Sequence, residues 1–161
     1  MNNKDLSVIL DDTKLNIRVG AIIKYKDKFL IEKNKNVDFS VIPGGRIKSL
    51  ENSKIALIRE IKEEIGIDIS NETFEIISLI ENFFEFNNQK YHELYFIYKI
   101  NLPENYNLKD NFKNLDNKDA YYNLITKEEL NKIKIMPNIL KEIISLDNFK
   151  HYIVDNININ N

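Results

Sequence analysis

"PGGRIKSLENSKIALIREIKEEIGI", residues 43–67, holds three of the four glycines of the chain, Gly44, Gly45 and Gly66, together with Glu51, Arg59, Glu60, Glu63 and Glu64. Ile55, Ile58, Ile61 and Ile65 recur at spacings of three and four, which predicts an amphipathic helix from about Ser53 to Ile65, capped by Asn52 or Ser53 and ended by Gly66. On that helix Glu60 lies three and four residues before Glu63 and Glu64, so the carboxylates sit on adjacent parts of one face and repel one another. They also occupy the C-terminal half, where the helix dipole disfavours negative charge. A bound divalent cation reverses both costs, and Mg²⁺ is commonly shared between carboxylates and substrate phosphates. Glycines just before the helix let backbone approach such a ligand. The plainer reading is a turn followed by a solvated charged helix, its ion pairs contributing roughly tenths of a kcal/mol each.

Elsewhere, "NIRVGAIIKY" and "KFLIEK", separated by "KD", predict a strand pair from about Asn16 to Lys33. "FEIISLIENFFEF" and "KYHELYFIYKI", separated by "NNQ", predict a long antiparallel hairpin. Leu102 to Asp119 is polar and turn-rich and reads as a loop. A strand over "AYYNLIT" is expected next, then a helix capped by Thr126 over "KEELNKI" and another opened by Pro137 over "NILKEIIS". The last residues are expected to be frayed or loosely docked. Strands and helices mix without regular alternation, so the expected class is α/β (α+β), a mixed-sheet sandwich with helices on its faces, in one domain over 1–161.

Composition narrows the chemistry. With 161 residues, 43% hydrophobic, the chain is sized for one buried core. The absence of cysteine excludes a disulfide framework, a thiolate nucleophile and a zinc-thiolate site, leaving oxygen ligands or the two histidines, His92 and His151. A net charge of −2 gives no basic field for long nucleic acid. No apolar run reaches the roughly 18–20 residues needed to span a bilayer, and no leader pattern opens the chain, so a cytoplasmic protein is expected.

The segment from Gly45 to Ile67 resembles the Nudix box: glycine, five residues, Glu, seven residues, Arg-Glu, an aliphatic, any residue, Glu-Glu, any residue, Gly and an aliphatic. Gly45, Glu51, Arg59, Glu60, Ile61, Glu63, Glu64, Gly66 and Ile67 fill every position. The resemblance implies an α/β/α sandwich with a mixed central sheet. It also implies a hydrolase that uses Mg²⁺ or Mn²⁺ and an activated water to cleave a nucleoside diphosphate linked to another group. Carried over by position, Glu60 and Glu64 are the main metal ligands, Glu63 a further ligand or water-activating base, and the Gly44 carbonyl a fourth donor. Arg59 orients a neighbouring glutamate, Glu51 braces loop and helix, and Ile55, Ile58 and Ile61 are core.

Outside the box, Glu93 in "YHELYF" interrupts an apolar strand, and Glu81 in "LIENFF" is a second candidate base. The two share a sheet face only if the turn pairs residues of equal parity, Phe83 with Glu93 for example. His92 reads as packed, and His151 as less functional still. Phe83, Phe84 and Phe86 are candidates to stack on a base, against the commoner role of sheet core. Arg18 and Arg46 are candidates for substrate phosphate. "NFFEF" after the box matches neither the ADP-ribose nor the dinucleoside polyphosphate subgroup. The expected partner is a small nucleoside diphosphate derivative, with homodimerisation left open. The alternative function is a non-catalytic nucleotide sensor on the same fold, and isomerase chemistry on a related fold is excluded by the missing cysteine.

Overall fold

A computed structural model describes residues 3–158, so the outermost positions of the 1–161 reading lie outside the described residues. The elements in order are β1 (Ser7–Leu10), β2 (Thr13–Tyr25), β3 (Lys28–Asn34), β4 (Ser40–Val41), β5 (Gly44–Arg46), α1 (Ser53–Ile65), β6 (Phe74–Phe86) and β7 (Gln89–Leu102). A 3₁₀ turn (Glu104–Tyr106) follows, then β8 (Phe112–Lys113), β9 (Ala120–Ile125), α2 (Lys127–Lys132), α3 (Leu140–Ile143) and β10 (Lys150–Asp155). The main sheet runs β10-β6-β7-β2-β3-β9-β8, with β1 and β5 paired to β2 and β4 to β3. β2 pairs with β7 in parallel, and β10 with β6 in parallel, while the remaining pairs are antiparallel. The sheet is therefore mixed, as expected.

Alternation along β2 builds two cores. Val19, Ala21 and Ile23 face α1, where Leu57, Ile61, Ile65, Ile100 and Tyr122 complete one apolar layer. Ile22 faces the other way, with Ile31, Ile80 and Ile97, under Leu130, Leu140 and Ile143 from α2 and α3. Helices thus cover both faces. Among the described residues no helix is long and apolar enough to cross a membrane.

α1 has the bounds its sequence predicts. The Asn52 side chain accepts from the Ile55 N–H, and Gly66 closes the helix at φ 81°, the left-handed conformation glycine adopts without a Cβ penalty. Ile55, however, is not core: it is 55% exposed, and Ala56 and Leu57 are buried in its place. The small Ala56 lets the helix approach the sheet along Leu57, Ile61 and Ile65, one residue round from the expected stripe. α2 begins with a reciprocal capping box between Thr126 and Glu129. After α3 the chain from Lys150 to Asp155 is not loosely docked. β10 adds to the β6 edge over six registered residues, with Tyr152 and Val154 packed on the α2/α3 core.

Between β3 and the start of β2 the sheet is interrupted: β3 pairs only with Lys24 and Tyr25 at the end of β2, and β5 occupies the edge opposite Arg18 to Gly20. This inserts the glycine loop into the sheet directly before the box helix.

Candidate active site

The Gly44–Arg46 insertion depends on both glycines. At Gly44, φ is 140°, and a Cβ would stand 2.2 Å from the Val19 carbonyl oxygen. At Gly45, a Cβ would meet the Glu60 carboxylate at 2.4–2.6 Å. The loop therefore forms a cradle that the Glu60 side chain fills.

Arg59 organises the exposed side of this cradle. Its Nε and Nη2 donate to Glu51 Oε1 and Oε2 at 2.8 and 2.9 Å, and its Nη1 donates to Glu60 Oε1 at 2.6 Å and Glu63 Oε2 at 3.1 Å. Glu51 also accepts from the Lys48 N–H at 2.9 Å, tying loop to helix. The Arg59 hydrogen bonds hold the Glu51 carboxyl below its ordinary value. For Glu60, burial outweighs the same arginine and raises its carboxyl.

Glu64 lies beyond the reach of these Arg59 bonds. Its Oε2 accepts from the Tyr122 hydroxyl at 2.8 Å and from the Gly44 N–H at 3.2 Å, so the glycine contact formed is through the amide rather than the carbonyl. Burial, reinforced by the neighbouring Glu32 charge, pushes the Glu64 carboxyl up to about 7. Burial and these two carboxylates drive the Tyr122 hydroxyl far upward, keeping it a donor.

Among the described residues no three Asp, Glu or His side chains stand in one metal-ligating group. Arg59 draws Glu60 and Glu63 to one side, and Tyr122 holds Glu64 on the other. The donor chemistry nevertheless fits a hard cation: two half-buried carboxylates with raised pKa values beside a glycine cradle, and no cysteine thiolate. Glu63 is the most open of the three, its side chain 45% exposed.

Two clefts meet here. An open polar cleft of about 410 Å³ is lined by Gly45, Lys48, Arg59, Glu60 and Glu63. A more apolar cleft of about 280 Å³ on the α2/α3 side of the sheet is lined by Phe39, Phe84, Phe86, Tyr91, Asn82 and Glu93. Arg18 and Arg46 line both. Arg18 lies over the Tyr95 ring at 5.3 Å and reaches Glu93 Oε2 at 3.8 Å. Burial works against the Arg18 charge, but Glu93, Tyr95, Glu64 and Glu60 together raise its pKa. Arg46 is more exposed and pairs with Asp5 at 3.5 Å.

Glu93, 3% exposed, is buried at the cleft floor. Asn82 Nδ2 donates to it at 3.4 Å, and since a carboxylate only accepts, this orients the amide. Asn82 Oδ1 and Arg18 Nε are then buried polar atoms without a hydrogen-bond partner among the described residues. Such atoms are costly unless something else satisfies them.

The hairpin register separates the remaining candidates. Asn82 pairs with Glu93 and Phe83 with His92, so Glu81 and Phe83 project from the opposite face. Glu81 meets His151 Nε2 at 2.8 Å there, and Phe83 packs on the His92 ring at 4.6 Å. Neither joins the clefts. Phe84 does, stacked on Tyr91 at 4.8 Å and 4°. The sequence reading missed Phe39, Asn82, Glu32, Tyr122 and Asn114. Asn82 and Glu32 carry the signal that singled out Glu93, a polar residue interrupting an apolar strand.

A family model described as NUDIX domain matches residues 14–146, most of the chain. The chain belongs to the Nudix family. Two relatives share sequence with it: an 8-oxo-dGTP diphosphatase of Proteus vulgaris, 36% identical over 69 residues, and one of Buchnera aphidicola subsp. Schizaphis graminum, 41% identical over 58 residues. These matches cover 40% and 34% of this chain but only 62% and 44% of the relatives' own lengths. The crystal structure of a MutT protein from Bacillus halodurans superposes with a TM-score of 0.67 at 16% identity, covering 86% of this chain and 90% of that one, which places the Nudix fold around the whole arrangement.

Proposed function

We propose that this Nudix protein is a pyrophosphohydrolase, dependent on Mg²⁺ or Mn²⁺, that cleaves the phosphoanhydride of a small nucleotide. The observation that carries the reading is the junction of the two clefts at Arg18 and Arg46, which sets a cationic bridge between the box acids and an aromatic cleft. A nucleotide laid across that junction has its phosphates against the arginines and box acids, and its base against Phe84, Phe86 and Phe39. Aromatic faces accept any base, and Asn82 Oδ1 supplies an acceptor for a base N–H. Given the relatives' name, 8-oxo-dGTP is the first substrate to test.

Glu60 and Glu64, joined by Glu63 and a Gly44 backbone oxygen, are the residues that would hold the cation. When bound, such a cation lowers the pKa of a coordinated water and neutralises phosphate charge. Arg59 keeps Glu60 and Glu63 in place through its fixed donor fork. Glu63, the most open acid, would accept the proton of an attacking water. Arg18 would orient phosphate, and Glu93, 3.8 Å from its guanidinium, would support that charge in place of acting as the base.

The test is a panel of nucleoside triphosphates, 8-oxo-dGTP, ADP-ribose, sugar nucleotides and dinucleoside polyphosphates, with Mg²⁺, Mn²⁺ or EDTA and product identification. Cation-dependent cleavage of at least one phosphoanhydride is expected. Nucleotide binding without turnover across the panel would instead favour a sensor.

A further inference from the structure

The second half of the polar loop is docked on the end of α1. The Leu115 N–H donates to the Glu64 carbonyl oxygen at 2.8 Å. Leu115 Cδ1 would lie 2.9 Å from a Cβ at Gly66, so the glycine that ends the helix also leaves room for the loop. One residue earlier, Asn114 is buried, and its amide has only one workable orientation. Its Oδ1 accepts from the N–H groups of Asp116 and Asn117 at 2.8 and 2.9 Å. Its Nδ2 therefore points inward, donating to Glu32 Oε2 at 2.9 Å and to the Tyr122 hydroxyl at 3.3 Å. A hydroxyl has one proton, and one that accepts from Asn114 sends that proton elsewhere. Tyr122 sends it to Glu64 Oε2, the oxygen that Gly44 N–H also contacts. With Oε2 engaged twice, Oε1 lies outside this hydrogen-bonded set.

We propose that Asn114 and Tyr122 are positioning residues that fix the Glu64 carboxylate, engaging Oε2 so that Oε1 is presented to the divalent cation. The inference rests on the reading of Glu64 as a cation ligand. Asn114 has two parts in it: it satisfies Glu32, which would otherwise compete for the tyrosine proton, and it orients the hydroxyl toward Glu64. The polar loop then helps to build the cation site.

Mn²⁺ binding to the full chain without nucleotide, followed by the EPR signal of free Mn²⁺, tests this. Y122F removes only the hydroxyl and is expected to bind Mn²⁺ about ten-fold more weakly than wild type, a typical loss when a ligand's supporting hydrogen bond is removed. It should still melt cooperatively, its KM for nucleotide at saturating metal should stay within about two-fold, and its turnover deficit should shrink as Mn²⁺ is raised. N114A, which frees the hydroxyl to turn toward Glu32, should weaken Mn²⁺ in the same direction and serves if Y122F fails to fold. E64Q is the reference and should lose most of the binding. If E64Q binds like wild type, Glu64 is not a ligand and the proposal falls with that reading. If E64Q loses binding while Y122F and N114A keep wild-type affinity, the positioning role is wrong and the ligand reading stands.

Discussion

At the residue scale the two neighbouring glycines have different duties, and substitution separates them. An alanine at Gly44 meets main chain at 2.2 Å with φ at 140°, and neither the strand nor the dihedral can yield cheaply. G44A should therefore lose roughly 2–4 kcal/mol of stability in urea unfolding. An alanine at Gly45 meets only the end of the Glu60 side chain, which can rotate away. G45A should keep stability within about 1 kcal/mol of wild type yet lose most turnover, because the carboxylate is displaced from its cradle. Equal stability losses in the two variants would contradict this division. Glu51 gives a pH prediction. Its folded carboxyl is held below the ordinary value by Arg59, so its contribution is present above that value and lost as pH falls through the lower folded one. E51Q should be about 1–2 kcal/mol less stable than wild type at pH 7, with the gap closing below about pH 4. A gap that persists unchanged at pH 3 would rule the ion pair out as its source. The box residues were legible because motif and helix are local. Glu32 was marked only as a polar residue in an apolar strand, and Asn114 and Tyr122 not at all, because the three gather beside Glu64 only through pairings of β3, β9 and the loop that local sequence does not encode.

At the element scale one residue of turn length decided which side chains reach the site. Taking "NNQ" as a three-residue turn pairs Phe86 with Lys90, which brings Phe83 opposite Glu93 and puts Glu81 on the Glu93 face. The chain turns instead on Asn87 and Asn88 alone, both at positive φ as a two-residue hairpin favours, and Phe86 pairs with Gln89. The shift by one moves Glu81 and Phe83 to the other face and brings Asn82 beside Glu93. β10 is an element the sequence does not announce: its last residues read as frayed or loosely docked. Its pairing with β6 is parallel and joins segments about 70 residues apart, so no local turn or alternation announces it. Removing the chain from Lys150 onward uncovers the β6 edge and the partly buried Tyr152 and Val154. That truncation should cost roughly 2–4 kcal/mol in urea unfolding and promote association through the freed edge. A truncated protein of wild-type stability that associates no more than wild type would mean β10 is not part of the stable sheet.

At the scale of the whole molecule, the sheet separates two tasks. The α1 face carries the acids, and the α2/α3 face carries the aromatic cleft. The break in the sheet that admits β5 is where the two communicate, through Arg18 and Arg46. The mixed-sheet sandwich and the placement of the acids in the candidate site were readable in advance because capping, periodicity and the box spacing all agree. The aromatic half was readable only in part, since which of several phenylalanines faces a cleft depends on register. On the proposed function, the box acids support cation-dependent cleavage of a phosphoanhydride. Its most direct test is product release from 8-oxo-dGTP and the other nucleotides of the panel by wild type and E64Q, each with Mg²⁺ and with EDTA, alongside their circular dichroism spectra. Phosphoanhydride cleavage is expected from wild type with Mg²⁺ only, and at least about 100-fold slower turnover from a folded E64Q. Undiminished turnover by E64Q, or by wild type in EDTA, would contradict it.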